Sequence, residues 1–289
     1  MSQFGYDNYG GRRSTFGLGR LLIAVVIAIG GIIAFYSHTE VNPVTGERQH
    51  IGMNVDQEKS LGLQAAPQMA QEMGGAIDPA GDPDAAKVAQ IGALIVQRSD
   101  ASKSPYVGNF HFHLLKDPQT VNAFALPGGQ IFITRALYDK LENEAQLAGV
   151  LGHETGHVIN RHAAEHMAKG QLGQALVTAV GIGASDDRDN RGQLAAYAAM
   201  MANQMLQLKY SRTDELEADK YGLKYMSQAG FTPAAMLDVM KILKAVSGTR
   251  GGSQIFATHP DPDARMEQIE QYLKENPPSS DLSTGKPLR

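Results

Sequence analysis

Two histidines and a glutamate in the pattern His-Glu-x-x-His offer the clearest chemistry in this sequence; they are His153, Glu154 and His157. On an α-helix, residues four apart lie on one face about one turn apart, so both imidazoles can reach a single metal ion. Glu154 directly follows the first histidine, and its carboxylate can accept a proton from a water molecule on that metal. A catalytic Zn²⁺ site has three protein ligands and one open position, so a third ligand must come from elsewhere.

A second helical stretch, Lys209–Tyr225, offers the third ligand. Glu215, Asp219 and Gly222 follow one another at i, i+4 and i+7 and therefore share one face of the helix. Ala218 lies beside that face, and the small residues would allow another helix to approach closely. Glu215 can then face the two histidines as third ligand. Asp219, one turn further on, can accept a hydrogen bond from a ligand imidazole.

The remaining acids and histidines of these two stretches have simpler explanations. Asp214 and Glu217 lie close to the natural N-cap Ser211, where the helix dipole favours negative charge. His162 and His166 are also four residues apart, but at 100° per residue they lie on the opposite side of a straight helix from the first pair. We therefore expect these two histidines to be polar surface or packing positions.

His259 is a further candidate for the active site. It follows a flexible loop, Ser247–Ser253, and the segment Pro260-Asp261-Pro262 fixes a turn directly after it. His259 could swing towards the metal, where it would stabilise an oxyanion or occupy the fourth metal position in a resting state; a helix-capping role is the alternative. Arg265 could orient His259 or pair with an acid.

The His-Glu-x-x-His pattern requires a helix, and the residues before it predict one. Asn143–Val150 has the composition of a helix start, and Leu147, Val150 and Leu151 follow at helical spacing. The pattern therefore lies on a long amphipathic helix that runs through Leu151–Ala168.

Three short strands are predicted before this helix, at Asn109–Leu115, Val121–Leu126 and Gln130–Thr134. The segment Pro127-Gly128-Gly129 makes a tight turn between the last two. Because a sheet edge binds an extended peptide through backbone hydrogen bonds, an edge beside the metal helix would hold a substrate across the metal. The residues predicted to bind substrate in this way are Asn122, Ala123, Phe124 and Ala125.

The composition excludes several other classes of protein. The 289 residues carry a net charge of -4 with no basic tract, which argues against a nucleic acid held through phosphate contacts. The sequence has no cysteine, so a thiol nucleophile, a disulfide framework and a cysteine-ligated metal are excluded. Any metal must be held by histidine, aspartate or glutamate.

The N-terminal part of the sequence predicts a membrane anchor. Leu21–Tyr36 is continuously apolar, and it reaches the roughly 17–25 residues of a membrane helix if Phe16–Gly19 is included and Arg20 snorkels to the surface. A signal sequence that is cleaved before secretion is the alternative, although Ala34–His38 is a poor cleavage site. Arginines precede the apolar run and glutamates follow it, which places the N-terminus in the cytoplasm and the remainder outside the plasma (inner) membrane, in the periplasm of a Gram-negative bacterium.

Two segments between the metal-binding stretches have less specific patterns. Gln171–Ala184 is apolar, small and rich in glycine, which predicts a buried helix or a mobile flap near the site. Gln193–Leu208 is a helix rich in methionine, whose methionines fill the core or face a substrate.

Taken together, these motifs resemble peptidase family M48, the group of zinc endopeptidases that includes the Oma, HtpX and CAAX prenyl proteases. The resemblance covers roughly Ala85–Tyr272, and its four motifs are Asn122–Gly129, His153–His157, Ser211-Arg212 with Glu215 and Ala218-Asp219, and Thr258-His259-Pro260 with Arg265.

This resemblance implies a mainly α fold with a small β-sheet (α+β), a domain of the gluzincin type. It implies that His153, His157 and Glu215 bind one Zn²⁺ ion per chain and that Glu154 is the general base. The single apolar span is similar to that of single-span or periplasmic bacterial members, which implies unfolded or membrane-associated protein substrates and a role in envelope protein quality control.

The sequence as a whole predicts a zinc metalloendopeptidase domain at 84–274. The other predicted parts are a disordered cytoplasmic tail at 1–19, a transmembrane anchor or signal sequence at 20–37, a linker with a short helix at 38–83 and a disordered tail at 275–289. Two other functions are alternatives to an endopeptidase. One is a membrane-anchored, chaperone-like binding protein with a structural or latent zinc site, and the other is an aminopeptidase that uses the same metal chemistry.

Overall fold

The structure, a computed structural model, describes residues 16–37, 39–170, 172, 209–247, 255–260 and 262–288. The predicted flap at 171–184 lies outside the described residues except for residue 172, and the predicted methionine-rich helix at 193–208 lies wholly outside them. Of the residues 1–19 predicted to be disordered, 1–15 also lie outside them, whereas 16–19 are helical.

The fold is mainly helical with two small sheets, so the predicted α+β class is confirmed. The helices are α1 (Phe16–Ser37), α2 (Val55–Glu72), α3 (Pro83–Arg98), α4 (Arg135–Tyr138), α5 (Glu144–Ile159), α6 (Arg212–Ala229), α7 (Ala235–Ser247), α8 (Ile255–Thr258) and α9 (Pro262–Glu275). Residues 162–170 are also helical. The strands are β1 (Thr39–Val41), β2 (Arg48–His50), β3 (His111–Leu115), β4 (Ala123–Leu126) and β5 (Gln130–Thr134).

The larger sheet contains the three strands expected from the sequence, in the order β3-β5-β4. β3 is parallel to β5, and β4 is antiparallel to it, with Ala123 opposite Ile133 and Leu126 opposite Gln130. Within the part of the chain that the structure describes, β4 pairs with β5 alone. Among these residues, the other edge of β4 has no strand beside it.

Alternate residues of β5 face two different cores. Ile131 and Ile133 pack in the main core with α3 and α5, whereas Phe132 packs with Met69 and Ala70 of α2 on the opposite face. This arrangement follows from the period of two along a strand, and it fixes α5 against the sheet. The apolar residues of α3 expected to face the core do so; they are Val88, Ile91 and Ile95.

Glycine and alanine set the distance between α5 and α6, the two helices that carry the candidate ligands. A Cβ atom at Gly156 would lie 2.7 Å from the carbonyl oxygen of Ala218, and one at Gly222 would lie 3.0 Å from the backbone nitrogen of His153. A larger side chain at any of these positions would push the helices apart. The close approach predicted from Ala218 and Gly222 is confirmed.

The N-terminal end of α5 is bound by residues close to the C-terminus. The backbone N–H groups of Glu144 and Ala145 donate to the carbonyl groups of Lys286 (3.0 Å) and Thr284 (2.9 Å). Asn143 caps the same helix by accepting from the backbone N–H of Gln146. The first N–H groups of a helix have no partner within it, and these residues satisfy them. The prediction of a disordered tail at 275–289 is therefore wrong for the described residues, because its composition does not reveal this role as a hydrogen-bonding partner.

The C-terminal end of α5 lies earlier than predicted. The helix ends at Ile159, and Arg161 has a left-handed backbone with φ of 57°, so residues 162–170 continue in another direction. The buried guanidinium of Arg161 donates to Glu58, to Glu40 (2.6 Å) and to the carbonyl oxygen of Met53 (2.9 Å). The single helix expected through Ala168 is therefore wrong, because these contacts hold Arg161 outside helical geometry.

The segment predicted as a linker at 38–83 is folded against α5. The side-chain amide of Asn42 donates to the carbonyl oxygen of Ile159 (2.7 Å), and that of Gln49 donates to the carbonyl oxygen of Asn160. α2 is 18 residues long and begins with a capping box at Asn54. The helix expected in this predicted linker is therefore present, and the polar side chains before it satisfy the last carbonyl groups of α5.

α1 exposes large apolar side chains along its length, among them Leu22, Val26 and Ile33. No helix among the described residues is long and apolar enough to cross a membrane. The predicted transmembrane anchor at 20–37 is not confirmed.

Candidate metal centre

Four buried side chains converge between α5 and α6. His153 and His157 come from α5, Glu215 comes from the first turn of α6, and His259 follows α8. One ligand atom from each of the four lies within 4.8 Å of all the others. The structure thus brings together the three residues expected to bind metal, and it adds His259 to them.

The spacing of the donor atoms suits a tetrahedral metal ion. The two Nε2 atoms of His153 and His157 are 3.1 Å apart, and Glu215 places its carboxylate oxygens 3.3 Å from His157 Nε2 and 3.6 Å from His153 Nε2. Ligands about 2.0–2.1 Å from a tetrahedral zinc ion would be about 3.3 Å from one another. Nitrogen and carboxylate oxygen are also the donors that zinc accepts, so the residues fit this metal.

His259 occupies the position of a fourth donor. Its Nδ1 lies 3.3 Å from His153 Nε2 and 2.9 Å from Glu215 Oε1. Burial alone would lower the pKa of His259, but the carboxylates of Glu215 and Glu154 raise it above its usual value. The expectation that His259 could approach the metal agrees with this placement.

Glu154 lies beside the ligand group without being one of its members. Its Oε1 is 3.8 Å from His259 Nε2, and its side chain is almost completely buried. Burial raises the pKa of Glu154 above its usual value, and the nearby His259 and His153 offset only part of that effect. Among the described residues, Glu154 Oε2 and His259 Nε2 are buried without a hydrogen-bond partner. Such groups require a ligand, ion or water nearby, which is what an active site provides.

The ring nitrogen of His153 that faces away from the ligand group, Nδ1, contacts a buried ion pair. Its Nδ1 lies 2.8 Å from Asp219 Oδ1, and Arg265 donates to both oxygens of Asp219 at 2.7 Å. Arg265 Nη1 also lies 2.8 Å from Glu215 Oε2. Burial alone would raise the pKa of Asp219, but Arg265 and His153 hold it below its usual value. Asp219 therefore lies against a ligand imidazole, as the helical spacing predicted, and of the two alternatives for Arg265 the structure shows pairing with acids.

The outer nitrogen of His157 has a different partner, which the sequence did not reveal. Its Nδ1 lies 2.9 Å from His162 Nδ1, and His162 Nε2 lies 3.1 Å from Glu217 Oε2. The prediction that His162 faces away from the first histidine pair is wrong, because the chain turns at Arg161. Glu217 likewise does more than interact with the helix dipole. Its spacing from Glu215 gave no signal, since the contact depends on that turn.

The other two residues given the same simple explanation behave as expected. Asp214 forms a capping box with Ser211 at the start of α6. His166 packs nearby, and its Nε2 lies 2.7 Å from Asp214 Oδ2. Neither side chain contributes an atom to the four-residue ligand group.

Tyr210 is a second residue that sequence reasoning missed. Its ring stacks on that of His157, with centroids 3.9 Å apart and planes inclined by 25°. Its backbone N–H donates to the carbonyl oxygen of Thr258, directly before His259. Tyr210 therefore packs against one ligand and is attached to the segment that supplies another. The available signal was its place in the sequence, directly before the N-cap of the helix that carries Glu215.

The predicted substrate-binding residues lie on the open edge strand and just before it. Ala125 lines a small cavity that also contacts His157 and Tyr210. Asn122 and Ala123 are buried, and Phe124 stacks on Phe132 with centroids 4.9 Å apart. Of the four, only Ala125 shares this cavity with a candidate ligand. Their role in binding substrate remains a prediction.

A helix that presents two imidazoles and an adjacent carboxylate, opposite a second helix that presents another carboxylate, defines a metal-dependent peptidase with a His-Glu-x-x-His site. The sequence model of peptidase family M48 matches residues 83–273. The chain belongs to this family, so the resemblance seen in the sequence is confirmed. It is a metallopeptidase.

Curated relatives agree with this assignment. The chain is 32% identical over 255 residues to the mitochondrial metalloendopeptidase OMA1 of Schizosaccharomyces pombe, covering 88% of this chain and 72% of that protein. It is 27% identical over 254 residues to the β-barrel assembly-enhancing protease of Escherichia coli, covering 85% of this chain. The chain spans about half the length of this second relative, 50%.

Proposed function

We propose that this M48 metalloendopeptidase binds one zinc ion per chain through His153, His157 and Glu215 and hydrolyses peptide bonds within unfolded or membrane-associated proteins. The observation that carries the proposal is the convergence of these three buried donors beside the carboxylate of Glu154. A bound zinc ion supplies the positive charge that polarises a substrate carbonyl group and acidifies a water molecule.

The protein residues then perform the proton transfers. Glu154 accepts the proton of the attacking water and later donates it to the leaving amine. His259, with its unpartnered Nε2 next to Glu154, is placed to donate a hydrogen bond to the developing oxyanion. Arg265 and Asp219 keep His153 and Glu215 in place through the buried contacts described above.

The open edge of β4 supports an endopeptidase rather than an enzyme that acts on chain ends. An extended substrate can add to this edge through backbone hydrogen bonds, with Asn122, Ala123, Phe124 and Ala125 along it.

The cellular setting is a further part of the proposal. The apolar run of α1 supports membrane attachment of residues 20–37, with residues 1–19 in the cytoplasm and a catalytic domain at 84–274 on the periplasmic side of the inner membrane; secretion after cleavage is the alternative. The names of the relatives, one mitochondrial and one linked to β-barrel assembly, support a role in envelope quality control.

One observation favours a second function, a binding protein with a latent or structural zinc site. The four donors, with His259 as the fourth, would close the coordination sphere that catalysis requires to be open. In that state the protein would hold unfolded chains without cleaving them.

The test compares the full chain with its Glu154→Gln variant on an unstructured protein substrate, after the zinc content of both has been measured. We expect the variant to keep its zinc and to lose about 10²- to 10⁴-fold in kcat. Glu165→Gln, a carboxylate paired with Lys169 outside the site, is the matched control and should cleave normally. Equal cleavage by the native and Glu154→Gln proteins would refute the mechanism. Zinc binding with no cleavage by either would favour the latent site.

A further inference from the structure

The two candidate ligands on α5 require their ring protons on a particular nitrogen. Both histidines present Nε2 to the ligand group, so this nitrogen must carry a free lone pair. A neutral imidazole then carries its proton on Nδ1, and that N–H group needs an acceptor. For His153 the acceptor is the carboxylate of Asp219. For His157 it is another imidazole, which can either donate or accept.

Glu217 removes this ambiguity. An ionised carboxylate only accepts hydrogen bonds, so His162 Nε2, 3.1 Å from Glu217 Oε2, must carry a proton. Neutral His162 then has a lone pair on Nδ1, which accepts the Nδ1–H of His157 at 2.9 Å. The reverse direction would direct a lone pair of His162 at a carboxylate. It would also place a proton on His157 Nε2, which would then donate to Glu215 instead of binding metal.

We propose that Glu217 and His162 form a hydrogen-bond chain that holds His157 in its metal-binding tautomer. His162 is a positioning residue, because it acts through His157 and does not contribute to the ligand group. The inference rests on the proposed zinc site. It assigns a function to Glu217, which the helix dipole would otherwise explain, and to His162, which was expected to be a surface or packing residue.

The arrangement also keeps the His162 ring from rotating. His162 is 1% exposed and lies against the Tyr210 ring, with centroids 6.1 Å apart. Tyr210 in turn stacks on His157. The turn at Arg161 places His162 here, and the buried Glu58 fixes that turn. The positions of both imidazoles in the chain are therefore set by packing as well as by hydrogen bonds.

The first test measures zinc affinity of the full chain by competition with a chelator. We expect His162→Leu to bind zinc about 10- to 100-fold more weakly, as loss of such a partner does in other metal sites. His162→Asn should recover most of this loss, because its side-chain oxygen can accept the proton of His157 Nδ1. His166→Leu is the matched control: it removes a histidine that also pairs with an acid of α6 but touches no ligand, and it should bind zinc as the native chain does.

The second test does not depend on metal. Nitrogen-15 NMR of the imidazole rings in metal-free protein reports which nitrogen of His157 carries the proton. We expect Nδ1–H in the native chain and a shift towards Nε2–H in Glu217→Leu, a substitution at a partly exposed position that the fold should tolerate. An Nε2–H tautomer in the native chain, or equal zinc affinities for His162→Leu and His162→Asn, would overturn the inference.

These outcomes separate this inference from the proposed function. A native chain that binds no zinc would refute the zinc site, and the tautomer measurement would still decide whether the hydrogen-bond chain exists. A native chain that binds zinc and cleaves protein, combined with a His162→Leu variant of unchanged affinity, would refute the hydrogen-bond chain alone.

Discussion

The Nδ1 atoms of His153 and His157, the two histidines of α5, have contrasting hydrogen-bond partners. Behind His153, a fully buried aspartate is neutralised by a buried arginine, and both are anchored in helices of the core. Behind His157, a second imidazole leads to Glu217, whose side chain is 29% exposed. One support is a charged pair removed from water, whereas the other is a hydrogen-bonded chain that reaches the surface.

The contrast separates two physical tasks within one site. The Asp219–Arg265 pair contributes to stability as well as to positioning, since removing either partner leaves a buried charge. The His162–Glu217 chain mainly fixes a proton position, because its last carboxylate is partly solvated. We therefore expect substitutions on the His153 side to affect folding and metal binding, and those on the His157 side to affect metal binding alone.

The largest effect should come from Arg265→Met. This change leaves Asp219 and Glu215 buried without their shared cation, and the loss of one member of a buried pair costs about 3–5 kcal/mol. Urea unfolding of the full chain measures this loss in the free energy of unfolding. Glu217→Gln, the corresponding change on the other side, should lose less than about 1 kcal/mol. Similar losses for the two variants would remove the contrast.

Removal of zinc should have the next largest effect. A ligand that binds only the folded state, at a free concentration of 100 times its Kd, adds about 2.7 kcal/mol to the free energy of unfolding. A chelator should therefore lower Tm of the native chain. Differential scanning fluorimetry with and without chelator checks this. The chelator should have the same effect on Glu154→Gln, because Glu154 is not a proposed ligand. No change in Tm of the native chain would count against a zinc site in the folded protein.

Asp219→Asn should weaken zinc binding by about 10- to 100-fold, since the amide oxygen accepts the His153 proton less strongly than a carboxylate. Competition with a chelator provides the measurement. Asp238→Asn on α7, an exposed acid paired with Lys241, is the control and should leave the affinity unchanged. If both variants bind zinc equally well, Asp219 has no part in holding the ligand.

The smallest effect should come from Glu217→Gln. The amide oxygen can still accept from His162 Nε2–H, but the amide NH₂ can also donate, so the direction of the hydrogen-bond chain is held less firmly. We expect zinc affinity to fall less than in Asp219→Asn. The expected loss in binding free energy is roughly 0.2–1 kcal/mol, the range measured for solvent-exposed ion pairs. The same competition assay measures it. A larger loss than in Asp219→Asn would reverse the order of the two supports.

The sequence predicted the His153 side well because its information is local. Helical spacing places His153 with His157, and a second helical spacing places Glu215 with Asp219. The small residues of α5 and α6 then bring the two helices together. Only the assignment of Arg265 to Asp219, rather than to His259, required the three-dimensional structure.

The His157 side could not be predicted in the same way. His162 reaches His157 because the chain turns at Arg161, and that turn depends on Glu58, which is 103 positions away in the sequence. Helical periodicity extends through such a turn without any signal. The binding of the α5 N-terminus by residues 284–286 is also a contact between distant parts of the sequence. It was missed because a polar, proline-containing composition does not distinguish a hydrogen-bonded segment from a free one.

The binding of the α5 N-terminus by residues 284–286 ties the helix of His153 and His157 to a segment that is made late in translation. A chain emerging from the ribosome contains His153 and His157 well before Glu215, and His259, Arg265 and the carbonyl groups of Thr284 and Lys286 are made later still. Because domains fold as their residues become available, a nascent chain that stops before Glu215 has only two of the three proposed ligands, and one that stops before Thr284 lacks the carbonyl groups that bind α5. We therefore expect α5 to gain its last N-terminal hydrogen bonds only after all three proposed ligands have been synthesised.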